Sequence, residues 1–130
     1  MYIETKRITG SDVSGFEIDA ESLPAVVTCV AMSDPALAFW WKGRALALVG
    51  FVPQAIITDT VYCWVHDLPA ARDHRVVFAR QAVLVVREVR KRYPRIVGHC
   101  QDTSASRWLA SLGAKFGEAQ GPLVPFVIEG

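Results

Sequence analysis

The sequence predicts an α/β (α+β) domain: a mixed, mostly antiparallel sheet with helices on both faces. Three observations carry that reading. The stretch from Ala70 to Tyr93, AARDHRVVFARQAVLVVREVRKRY, contains neither Gly nor Pro. At about 100° per residue its Phe78, Ala79, Ala82, Val85, Val86, Val89 and Tyr93 share one face, and Arg80, Gln81, Arg87, Glu88 and Lys91 share the other. Short β-rich runs flank this stretch on both sides, which implies a right-handed crossover between parallel strands. Earlier in the chain two apolar runs are joined by Lys42-Gly43-Arg44, which implies an antiparallel hairpin.

In order along the chain, Tyr2 to Ile8 alternates weakly and reads as a first strand, followed by turn residues Thr9 to Asp12. Val13 to Ala20 is ambiguous. Asp19 or Ser22 caps a helix from Leu23 to Met32, with Pro24 tolerated in its first turn, and Ser33-Asp34-Pro35 stops it. Leu37 to Trp41 and Ala45 to Val52 are the hairpin strands. The second, ALALVGFV, does not alternate, as expected of a strand covered on both faces. Pro53 ends it. Gln54 to Thr60 connects to the strand Thr60 to Val65, and His66 to Pro69 lead into the central helix. The basic end of that helix suits a C-terminus, and Pro94 blocks its continuation. Val77 and Leu84 fall on its otherwise polar side. Ile96 to Cys100 is the next strand. Asp102, Thr103 or Ser104 caps a helix from Ala105 to Leu112, with Gly113 at the C′ position, and Phe116 and Leu123 to Ile128 close the sheet.

At 130 residues and 52% hydrophobic content, one domain with a sizeable core is expected. A net charge of +1 gives no global attraction to nucleic acid. Cys29, Cys63 and Cys100 are widely spaced and form neither a disulfide framework nor a paired zinc motif, which favours a reducing compartment. The opening MYIETKRITG lacks a signal-peptide core, and no apolar run reaches the roughly 18 residues of a membrane span. A soluble cytoplasmic protein is the expectation.

The order of these elements, best from Ala45 to Ala114, resembles the GNAT (GCN5-related N-acetyltransferase) fold. In that family a strand, a phosphate-binding turn and a long helix hold acetyl-CoA. The matching segments are Thr60 to Val65, His66 to Arg75, and the central helix. The family often shows Asn-x-x-Ala-x-x-x-Tyr-x-x-Leu-Gly-Phe after the next strand. This chain has Asp102, Ala105, Leu109, Leu112, Gly113 and Ala114 at that spacing, so Ala, Leu and Gly match while Asn, Tyr and Phe do not. A narrower resemblance is to small GNAT-like proteins of short-tailed phages, some labelled internal virion or assembly proteins. It rests on the Arg-rich helix, the Tyr93-Pro94 stop, the short strand after it, and Arg107-Trp108-Leu109 ahead of Leu112-Gly113. It implies a location in the host cytoplasm or the virion and a role through protein contacts.

The resemblance implies acetyl-CoA contacts from Trp64 and Val65 at the strand end, from Arg72, His74 and Arg75 in the turn, and from Asp102 and Arg107. His66 and Asp67 stand near the acceptor amine and read as a general base, or as the plain polar start of a loop. The departures fall in the same place. The family's turn, Gln/Arg-x-x-Gly-x-Gly/Ala, brings backbone N–H groups to the pyrophosphate. Here Arg75 and Val77 replace the small residues and Asp73 adds a negative charge, so acetyl-CoA binding is weakened. Leu109 stands where the family's Tyr protonates the departing thiolate, and it has no proton to give. A protein with a degenerate acetyl-CoA site, acting in virion assembly, is the first expectation, and an active N-acetyltransferase the alternative.

Other features weigh less. Cys63-x-x-His66 lacks a second pair of metal ligands, and its members face apart on a strand, as do His99 and Cys100. No metal is expected. Arg87, Arg90, Lys91, Arg92 and Arg95 read as a solvated helix end, without the aromatic interleaving of a nucleic-acid platform. Trp40 faces opposite to Phe39 and Trp41. It either packs under the first helices or joins Trp41 in a surface for a partner protein.

Overall fold

The structure, a computed structural model, describes residues 4–100 and 109–129. Seven strands form one sheet in the order β1-β2-β3-β4-β5-β7-β6. They are β1 (Glu4–Arg7), β2 (Ala36–Trp41), β3 (Arg44–Pro53), β4 (Thr60–Asp67), β5 (Arg95–Cys100), β6 (Lys115–Phe116) and β7 (Val124–Ile128). Helix α1 (Leu23–Met32) packs on one face and α2 (Arg75–Arg92) on the other. Every pairing is antiparallel except β4 with β5, which are joined through α2. Among the described residues no helix is long and apolar enough to cross a membrane.

The period-two alternation of the strands sorts side chains between the two faces. Leu37, Phe39 and Trp41 of β2 join Phe51 and Val61 under Ala82, Val85, Val86 and Val89 of α2. Ala36 and Ala38 point the other way, with Leu48, under Val26 and Val30 of α1 and Val13 of the 3₁₀ turn Gly10–Gly15. Leu46 to Gly50 are all buried, as the unbroken apolar run requires of a strand covered on both faces. Tyr93 closes the α2 side: its hydroxyl donates to Asp34 Oδ2 at 3.1 Å, and Arg92 pairs with the same oxygen at 3.0 Å. Burial and the bond to Asp34 raise the Tyr93 pKa.

Several boundaries differ from expectation. The hairpin turn has two residues, Lys42 and Gly43, because Trp41 pairs with Arg44. Both turn residues have positive φ, 49° and 79°, the left-handed geometry of a type I′ turn that matches strand twist. A 3₁₀ turn, Gly10–Gly15, takes in the end of the expected turn and the first residues of the ambiguous segment Val13 to Ala20, and Thr9 and Asp12 hold it in a capping box. The central helix begins at Arg75, not Ala70. Pro69–Asp73 forms a separate 3₁₀ turn with Pro69 near its start. β4 continues two residues past Val65, because β3 offers partners as far as Ala47. Of the expected helix 105–112, only Leu109 to Leu112 lies within the described residues. Gly113 N–H bonds the Ala110 carbonyl and Ala114 N–H the Leu109 carbonyl, a Schellman close with Gly113 at C′.

Candidate functional site

β4 and β5 start as a parallel pair and then part. Their ladder holds three residue pairs, Thr60↔Arg95, Val61↔Ile96 and Tyr62↔Val97. Beyond it β4 keeps pairing with β3 as far as Asp67↔Ala47, and β5 keeps pairing with β7 as far as Cys100↔Val124. Within the described sheet the β5-facing edge of β4 therefore has no strand partner from Cys63 onward. The opening lies at the carboxyl ends of the two parallel strands, where open α/β sheets bind ligands. The turn Leu68 to His74 and the first residues of α2 follow directly from that end.

The turn is anchored to the sheet. Trp40 pairs with Ala45 and Phe39 with Ala47, so Leu46 is the extra residue of a β-bulge. The Leu46 carbonyl accepts the Leu68 N–H at 2.9 Å, and Leu68, Ala70 and Ala71 are buried. Arg72, Asp73 and Arg75 stay exposed and His74 is half-buried. Among the described residues no side chain caps the start of α2. An eighteen-residue helix thus presents first-turn N–H groups and the positive end of its dipole beside Arg72 and Arg75. Val77 packs against the core beneath α2.

The sequence-derived candidates separate by face. His66 and Asp67 lie inside β4, paired with Leu48 and Ala47, rather than after it. Neighbouring strand residues face apart, so the two do not converge on one proton. Trp64 belongs to the α1 face. Its indole N–H donates to Ser33 Oγ at 2.7 Å, and the Ser33 hydroxyl donates to the Cys29 carbonyl. Gly50 makes room for that indole: any Cβ there would overlap Trp64 and the Ser33 hydroxyl. Val65 faces α2 and is 43% exposed. With Cys63 and Phe78 it lines an apolar void of about 10 Å³, which lacks the polar partners a water needs. Burial pushes the Cys63 thiol up to about 12, which keeps it a thiol and unreactive. Cys63 and His66 point to opposite faces. Asp102 and Arg107 lie outside the described residues. Leu109 is 4% exposed in the α2-side core. Trp41 is buried in the same α2-side core. Trp40 is half-buried on the other face, its ring 5.7 Å from that of Phe16 with Lys6 over it at 5.6 Å.

One polar contact crosses the seam and was not anticipated as a pair. Tyr62 Oη lies 2.8 Å from His99 Nδ1, with ring centroids 5.8 Å apart. Both side chains are on the face opposite α2. His99 is exposed, and burial raises the Tyr62 pKa. The signal was the register. Once Tyr62 is set against Val97, His99 has the same parity as Val97 and so shares its face.

A scan against protein-family models finds no match, and neither does a search of curated proteins. Solved structures do match. A provisionally assigned phosphinothricin N-acetyltransferase superposes with a TM-score of 0.74 at 11% identity, over 98% of both chains. The ribosomal-protein-S5-alanine acetyltransferase of Vibrio fischeri gives 0.70 at 11% identity, over 98% of this chain and 92% of that one. A Bacillus subtilis acetyltransferase in complex with CoA gives 0.69 at 8% identity, over 98% and 97%. The chain has the GNAT acyl-CoA N-acyltransferase fold.

Proposed function

We propose that the chain is an acyl-CoA-dependent N-acyltransferase, with acetyl-CoA as donor and a primary amine as acceptor. The observation that carries this is the opening of the β4–β5 seam directly onto the uncapped start of α2. The residues fit the donor at both ends. First-turn N–H groups of α2, with Arg72 and Arg75, suit the phosphates; Asp73 opposes them. The edge of β4 from Cys63 to His66, which among the described residues has no partner strand on the β5 side, suits the amide groups of the pantetheine arm. Acetyl-CoA supplies an activated acyl carbon. The protein's part is to hold it, exclude competing water and accept the proton the amine loses. Buried Leu109 leaves the departing thiolate to take its proton from solvent.

The test is thermal unfolding and calorimetric titration with acetyl-CoA. A ligand at 100 times its Kd stabilises a fold by about 2.7 kcal/mol. In a chain of this size that is a rise in Tm on the order of 10 °C. No rise and no binding heat would contradict the proposal.

A second reading, action through protein contacts in virion assembly, draws on Ile56 and Ile57. They stand fully exposed, at 104% and 94%, in the β3–β4 loop. None of the neighbours named above is described as a virion protein. Co-purification with phage particles that Ile56→Ser/Ile57→Ser abolishes would support it, and absence from particles would overturn it.

A further inference from the structure

On the footing of the N-acyltransferase reading, we infer that the cross-strand pair Tyr62–His99 handles the proton of the transfer. His99 is the base that takes it from the acceptor amine, and Tyr62 positions His99. His66, the base the sequence suggests, stands at the wrong end. It lies four residues beyond Tyr62, about 13 Å along the strand, next to the phosphate-binding turn. The phosphates and the thioester occupy opposite ends of an acyl-CoA. With the phosphates at the start of α2, the reacting carbon lies back toward the point where the strands part. That point is Tyr62↔Val97, and the Tyr62–His99 contact straddles it.

The chemistry of the pair fits the task. His99 is exposed, and its described side-chain hydrogen bond is through Nδ1. With Nδ1–H donating to Tyr62 Oη, the neutral imidazole carries its lone pair on Nε2 of an exposed ring. The amine nitrogen forms its bond to the acyl carbon as the carbon–sulfur bond breaks. The surplus amine proton goes to Nε2, and from there to solvent. The sulfur leaves as thiolate and takes a proton from solvent, so the charges balance. Tyr62, held protonated, fixes the tautomer and the ring's angle without taking the proton itself.

Two measurements test this. In steady-state kinetics with acetyl-CoA and two amine probes, spermidine and an N-terminal alanyl peptide, His99→Gln lowers kcat by about 100-fold or more while the Kd for acetyl-CoA is unchanged. Free imidazole restores part of the rate in His99→Ala. Tyr62→Phe lowers kcat by about tenfold, without loss of fold. Independently of activity, long-range ¹⁵N–¹H spectra of the free protein show neutral His99 protonated at Nδ1, and Tyr62→Phe shifts it to the Nε2 form. Unchanged kcat in His99→Gln, or an Nε2-protonated His99 in the native protein, overturns this proposal and leaves the parent reading standing. Failure to bind acetyl-CoA brings down both.

Discussion

Two seams of one sheet behave differently. Between β3 and β4 the ladder runs through seven residue pairs, and β3 is covered by a helix on each face. Between β4 and β5 it runs through three and stops. The first seam carries the fully buried side chains Leu46, Leu48, Phe51 and Val61. The second shares Val61 and adds fully buried Ile96, then ends on half-buried Tyr62 and Val97 with the exposed His99 beyond them. Stability is concentrated where both faces and both edges of a strand are satisfied. A ligand that bonds to strand edges needs a place where one edge is not. β4 serves both ends, bound to β3 along its whole length and to β5 for its first three residues.

Removing a side chain from each seam separates their contributions to stability. Phe51→Ala, at a position 1% exposed, should cost about 3–5 kcal/mol in chemical denaturation. Val97→Ala, half-buried on the opening seam, should cost about 1 kcal/mol. Equal costs would mean that the two seams share the load. Next in size is Gly50→Ala. The added methyl would overlap the Trp64 indole and the Ser33 hydroxyl, so a loss of about 1–3 kcal/mol is expected. Smaller still for stability is Arg72→Ala on the exposed turn, within about 0.5 kcal/mol of the parent. If Arg72 meets the donor's phosphates, the same change should weaken acetyl-CoA binding by about tenfold or more in calorimetry.

Alkaline pH separates the seams in another way. Unfolded, the Cys63 thiol gives up its proton near its ordinary value of 9.0, whereas in the fold it keeps it to about 12. Between those values the folded chain binds more protons than the unfolded one, so stability falls as pH rises through that window. The raised Tyr62 and Tyr93 hydroxyls act in the same direction above their ordinary value of 10.0. The denaturation midpoint should therefore drop from pH 9 to 11, and less steeply in Cys63→Ala.

Much of this was legible in the sequence, and the misses have physical causes. Leu23–Met32 is bounded as expected, because Ser33-Asp34-Pro35 is an unambiguous stop. The strand–helix–strand unit was readable from the periodicity of α2. His66 and Asp67 read as a loop because they are polar, yet β3 supplies pairing partners that override their weak strand preference. Ala70 and Ala71 favour helix and extend the helical pattern toward the N-terminus, yet both are buried in a 3₁₀ turn that the Leu46 bulge holds down. The Tyr62–His99 pair spans 37 residues and exists only in one parallel register, which no local pattern reveals.

The most direct measurement is the map of backbone amide shifts when acetyl-CoA is titrated into the ¹⁵N-labelled protein. Shifts are expected at Cys63 to Asp67, at Gly98 to Cys100 and in the first turn of α2, with the β2–β3 amides unmoved. Shifts confined to other surfaces, or none at saturating acetyl-CoA, would contradict it.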